Sequence, residues 1–148
     1  MDNIQAKLNR YQPQVLSIFR IMFGLLILQA GCSKFFGFPA AQPANFQLFT
    51  MLGAAGCIEL IGGALVTVGL YTRYAALIVS GEMAVAYFIY ANRLALFPWS
   101  GPSGANRPSI VPALNGGNLE VALCFAFLLL VFFGPGIWSL DAQLRKRT

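Results

Sequence analysis

The stretch FQLFTMLGAAGCIELIGGALVTVGL, residues 46–70, decides the fold. It is apolar or small almost throughout, and one carboxylate, Glu59, stands close to its middle. A helix needs about 20 apolar residues to cross a hydrocarbon core, so this stretch reads as a transmembrane span. A charge at the centre of such a helix costs roughly 2.5–3.5 kcal/mol on insertion scales unless it faces a partner, a cavity or a ligand. Gly56, Glu59 and Gly63 share one helical face, with Gly53 a turn earlier. Small residues let membrane helices approach closely, so Glu59 is expected inside a helix interface.

Working outward, three further apolar runs have the same character. Residues 15–36 form the upstream span, with Pro13 placed to suit its first helical turn. Arg20, Gly24, Ile27, Gly31 and Lys34 recur on it at steps of three and four, giving one face with two cations and two glycines. Residues 74–92 form a third span, whose expected packed face is Ala75, Ile78, Glu82, Ala86 and Ile89, with Tyr87 and Tyr90 toward its far end. Residues 118–134 form a fourth, closed by Gly134-Pro135-Gly136 and followed by Trp138, an interfacial anchor type. Glu120 lies in its first turn, where the helix dipole favours a carboxylate.

With their connections these runs use nearly the whole length of 148 residues, of which 57% are hydrophobic and only 10% charged, at a mean hydropathy of +0.67. Such values exclude an ordinary soluble domain. The expected fold class is all-α, an integral membrane four-helix bundle forming a single domain over residues 1–148. The segment from Arg93 to Gly117, with Pro98, Pro102, Pro108 and Pro112 among glycines and Trp99, is too long for a hairpin turn and is expected to be a structured loop.

The net charge of +5 comes from residues at the borders of the apolar runs and in the tails. Lys7, Arg10, Arg73 and the closing Arg145-Lys146-Arg147 fall on one side, against Lys34, Arg93 and Arg107 on the other. The bias places both termini in the cytoplasm and makes nucleic acid an unsuitable partner. The terminal basic trio suits anionic head groups of the lipid bilayer. Ala30-Gly31-Cys32 resembles a lipoprotein cleavage site, but Gln29 stands where Leu is usual, and the run is long enough to span; it reads as a retained helix. Cys32, Cys57 and Cys124 occur singly, and the chain has no histidine, so no metal site of its own is expected.

By depth, Arg20 is expected to pair with Glu82 and Lys34 with Glu120, leaving Glu59 without an obvious partner. Glu59 then becomes a protonated acid bonded to a neighbour, a second partner of Arg20, or a ligand contact. A quinone pocket needs a hydrophobic slot with donors and acceptors for two carbonyl oxygens, which Arg20, Glu59, Glu82 and Tyr87 offer. A proton or solute path needs acids at successive depths, which Glu82, Glu59 and Glu120 offer. Ion pairs that merely fix helix register are the structural alternative.

The order and spacing of several short pieces resemble the DoxX family. These are Arg20 with Gly24, Gly31 and Lys34; Glu59 with Gly62-Gly63 and Gly69, then Thr72-Arg73; Ala86-Tyr87-Phe88; Asn115-Gly116-Gly117; and Gly134-Pro135-Gly136 before Trp138-Ser139-Leu140-Asp141. The resemblance implies a four-helix protein of the bacterial inner membrane, in a family named for a subunit linked to thiosulfate oxidation with quinone as acceptor. It also implies that Arg20, Lys34, Glu59 and the turn at Asn115 belong to a family pattern. Two positions depart from that pattern: Ala91 stands where many relatives have His, and Asn118 follows the Asn-Gly-Gly turn where they have Glu, with Glu120 two residues on.

The functional expectation is a membrane subunit of an oxidoreductase system with a quinone-facing site and no electron carrier of its own. Its candidate binding residues are Arg20, Lys34, Glu59, Glu82, Tyr87, Asn115 and Glu120. Electron flow would require other membrane protein subunits, and a homo-oligomer is also allowed. The alternatives are a non-catalytic scaffold of a larger complex and a small solute or proton transporter.

Overall fold

A computed structural model describes residues 2–43, 46–91 and 117–146. The structure is helical, with no strand among the described residues. Helix α1 runs Asp2–Phe36, α2 Met51–Val68, α3 Thr72–Ala86 and α4 Asn118–Phe133, with a short α5 at Leu140–Arg145. The chain leaves α3 through a wider π-helical turn, Tyr87–Ala91. Of these, α1 and α2 are long and apolar enough to cross a membrane, and α4 is a shorter apolar helix.

Helix α1 begins earlier than expected, and Pro13 lies in its interior rather than in its first turn. Gln5, Ala6, Lys7, Leu8 and Arg10 are good helix formers and carry the helix back to Asp2. Helix α2 is shorter than the apolar run that contains it. Thr50 ends its own turn by donating to the Gln47 carbonyl (2.6 Å) and caps the helix by accepting from the Gly53 amide (3.3 Å). Gly69, in the left-handed region at φ 76°, closes α2 with its amide on Leu65.

The α1–α2 interface is made by glycines, as their spacing suggests. A methyl built on Gly63 would lie 2.5 Å from the Leu28 amide nitrogen, and one on Gly31 2.5 Å from that of Leu60. Backbone therefore packs on backbone along this seam. Gly24 does the same against Thr67.

The packed face of α3 differs from expectation. Ala75, Ala76, Val79, Ser80 and Met83 are buried, whereas Ile78 is 57% exposed. Helix α3 meets α4 through this face, where Val79 and Met83 join Leu123, Phe127 and Leu130 in one core. Ser80 donates to the Cys124 carbonyl (2.8 Å) across the contact. Lipid-facing positions are as apolar as packed ones, so hydropathy alone does not separate Ile78 from Val79; the small Ala76 and Ser80 mark the close side.

Candidate functional site

Two polar centres lie along α1: Arg20, near its middle, at the C-terminal end of α2, and Lys34, in its last turn. At the first, Arg20 is buried to 1% exposure and spends its guanidinium on backbone carbonyls. Nε donates to Pro135 (2.8 Å), Nη1 to Val66 (2.5 Å) and Thr67, and Nη2 to Trp138. The last carbonyls of a helix have no partner within it, and the fixed fork of an arginine suits several at once. Arg20 thereby finishes α2 and fastens the Gly134–Ser139 turn to α1. The expected pairing of Arg20 with Glu82 is overturned, as is a pairing with Glu59: carbonyls of two chain reversals converge on the guanidinium and take up its donors.

Asp141 completes this end. Its Oδ1 accepts from the Tyr71 amide, and its Oδ2 from the Thr72 amide and hydroxyl, each at 2.9 Å. It acts as the cap of α3 from a distant part of the chain. Thr72 and Asp141 stand out in the sequence as separate motif pieces; nothing in their spacing announces this contact.

At the second centre, Lys34 Nζ meets Glu59 Oε2 at 2.5 Å. Glu59 is 4% exposed. Lys34 therefore pairs with Glu59 rather than with Glu120, because the close α1–α2 seam brings the last turn of α1 across the middle of α2. Gly56, one turn before Glu59, leaves room for the lysine stem.

Lys34 and Glu59 share a cavity of about 460 Å³ with Glu82 from α3 and Glu120 from α4. Gln29 and Ser33 add polar groups to a wall made otherwise of residues such as Leu26, Leu52, Met83 and Leu123. Glu82 Oε2 and Glu120 Oε2 are buried without a hydrogen-bond partner among the described residues. Four of the seven candidate residues thus converge. Arg20 lies outside the cavity lining, at the other centre. Tyr87 is buried at 6% exposure, with its ring 5.2 Å from that of Phe88, and does not line the cavity. Asn115 and most of the expected loop lie outside the described residues. Gln29 and Ser33 are additions; four residues apart, they share one face of α1 with each other, a polar pair within an apolar run.

Among the described residues, no group of histidine, cysteine and acids has the geometry for a metal ion. What the cavity offers is three carboxyl groups and one ammonium around an apolar space.

The DoxX family model matches residues 15–92, a range that includes Arg20, Lys34, Glu59 and Glu82. An uncharacterized protein of Haemophilus influenzae is 35% identical over 144 residues, covering 95% of this chain and 98% of its own length. An uncharacterized membrane protein of Mycobacterium tuberculosis is 29% identical over 141 residues, 91% of this chain and 83% of its own. The inner membrane protein YqjF of Escherichia coli is 27% identical over 139 residues, 88% and 92% respectively. No solved structure matches. With that family match, relatives named as membrane proteins and apolar helices of spanning length, this chain is a membrane protein belonging to the DoxX family.

Proposed function

We propose that the protein is a four-helix subunit of the bacterial inner membrane, with both termini cytoplasmic, that takes a lipid-soluble, hydrogen-bonding molecule such as a quinone into the cavity at Lys34, Glu59, Glu82 and Glu120. The observation that carries this reading is that Glu82 and Glu120, each with a buried carboxyl oxygen that has no partner among the described residues, both line one mainly apolar cavity. Buried polar atoms without partners are uncommon in finished cores, and here two belong to residues that line the same void. Wall residues Leu26 and Leu119 are 48% and 63% exposed, so the cavity reaches the outer face of the helices, where acyl chains would lie. A guest could enter from the bilayer.

The chemistry of such a site is proton exchange with the guest. Three acids and one base within a small apolar volume supply donors and acceptors for a ring that gains or loses protons on reduction or oxidation. Electrons would come from a partner protein, a reading supported by the sequence, which has no histidine and no closely spaced cysteine pair. The ladder of acids needed by a transporter has less support, since all three carboxyl groups line one cavity. The scaffold reading keeps one observation in its favour: the Lys34–Glu59 bond is complete without a guest.

The test is saturable labelling of the purified full-length protein, in native lipid, by a photoreactive ubiquinone analogue. The expected adducts fall on Leu26, Leu52, Met83 or Leu119, and Glu82→Gln with Glu120→Gln weakens labelling about tenfold or more at an unchanged unfolding temperature, the scale expected for losing two charged acceptors. Labelling that does not saturate, or that ignores both substitutions, removes the site and leaves the scaffold.

A further inference from the structure

Over residues 4–22, the large apolar side chains that α1 leaves at least half exposed follow a strict rhythm. Ile4, Leu8, Tyr11, Val15, Ile18 and Met22 are each half or more exposed, and they are spaced four, three, four, three and four residues apart. This is the alternation of a heptad seam, with a period of 3.5 residues. The buried residues Ser17, Arg20, Gly24 and Ile27 occupy the opposite side of the helix, against α2 and the Gly134–Ser139 turn.

Within a bilayer an apolar stripe needs no protein partner, because lipid covers it. The N-terminal part of α1 is a different case. A helix of 35 residues is about 52 Å long at 1.5 Å per residue, well beyond a hydrocarbon core of about 30 Å. Lys7, Asn9, Arg10, Gln12 and Gln14 mark the part that extends past the apolar run. Ile4, Leu8 and Tyr11 continue the stripe there, where water rather than lipid would meet them.

We propose that this stripe is a self-association surface, on which the α1 helix of a second copy packs in parallel. A seam of this period is matched by a helix of the same period, and another copy inserted in the same orientation supplies one in register. The flanking positions are compatible: across a parallel pair Lys7 of one copy stands opposite Gln12 of the other, and Gln14 opposite Phe19, with no like charges facing. Beside the stripe, a groove of about 480 Å³ between α1 and the end of α4 is lined by Leu8, Tyr11, Phe19, Leu129 and Phe133 and extends the apolar surface. Pairing along the whole stripe would bury on the order of 1,000 Å² in total, at the lower bound for a specific interface.

The experiment is disulfide mapping on the full-length chain in native membranes, with the three native cysteines replaced by alanine. Leu8→Cys and Tyr11→Cys are expected to give a product of twice the chain mass on mild oxidation, at least about fivefold more than Asn9→Cys or Arg10→Cys, because only seam positions face each other in a coiled coil. In the otherwise unaltered chain, Leu8→Glu with Tyr11→Glu is expected to shift the protein from dimer to monomer in lipid nanodiscs while its unfolding temperature stays the same. Equal cross-linking at all four positions, a product with the mass of some other protein, or an unaltered chain that is already monomeric overturns the proposal.

Discussion

The aliphatic stem of Lys34 passes over Gly56, and this clearance lets its ammonium meet Glu59. A methyl at Gly56 would stand 3.5 Å from Lys34 Cβ and Cδ and 3.0 Å from the Phe35 ring, so the space is already nearly filled. Gly56→Leu is therefore expected to displace the lysine and break the pair. Lys34→Met breaks it directly and strands a buried carboxylate, at a cost of about 3 kcal/mol. The double variant Lys34→Met with Glu59→Leu is expected to recover most of that loss. Thermal unfolding in mild detergent reads all three, and a double variant no better than Lys34→Met would mean that the pair is not coupled.

Arg20 serves the other centre in another way, because its hydrogen bonds go to four backbone carbonyls. Lysine keeps the charge but cannot reproduce the planar fork. Arg20→Lys is expected to cost about 3 kcal/mol, two or three charge-assisted bonds lost. Hydrogen exchange should report faster opening at Gly69 and Leu70 together with the Gly134–Asp141 segment. Loosening of only one of these would show that the arginine does not join them.

The helices, their order and the inward faces of α1 and α2 were legible in the sequence, because charges and glycines at steps of three and four mark a packed side even when everything else is apolar. The pairings were not. Depth along a helix says which charges lie at one level, but Lys34 reaches Glu59 because helix α1 is tight against α2, and that closeness depends on backbone contact at Gly31 and Gly63. The destination of Arg20 was hidden for a related reason: its partners are carbonyls, which every residue carries and no sequence pattern announces. On α3 the one carboxylate, Glu82, pointed to a face that included Ile78, whereas Ala76 and Ser80 carried the better signal.

Two glycines with opposite surroundings separate packing from propensity. Gly63→Ala places a methyl 2.5 Å from the Leu28 nitrogen and 2.8 Å from its Cα, where only backbone movement relieves the clash. The expected loss is about 2–3 kcal/mol, the cost of overpacking a tight contact. Gly81 has nothing within 4 Å of the same position, so Gly81→Ala is expected to be neutral or to stabilise by about 0.5–1 kcal/mol through helix propensity. Unfolding temperatures measured side by side decide it; equal effects would mean that the α1–α2 seam is looser than described.

Asp141 holds the start of α3 although it lies almost seventy residues later in the chain. Tyr71, the residue before α3, has a left-handed backbone at φ 48° and no capping side chain of its own, so the first amides of the helix depend on this carboxylate. Removing a cap costs about 1–2 kcal/mol, and here Asp141→Ala also leaves the buried Thr72 hydroxyl unpaired. A loss near the upper end, about 2 kcal/mol, is expected, with Asp141→Asn costing less because one acceptor oxygen remains. Faster exchange of the Tyr71 and Thr72 amides should accompany it, while amides around Lys34 and Glu59, at the far end of α1, keep their protection. Equal loosening at both ends would mean that the Asp141 contact stabilises the whole molecule and not the entry into α3.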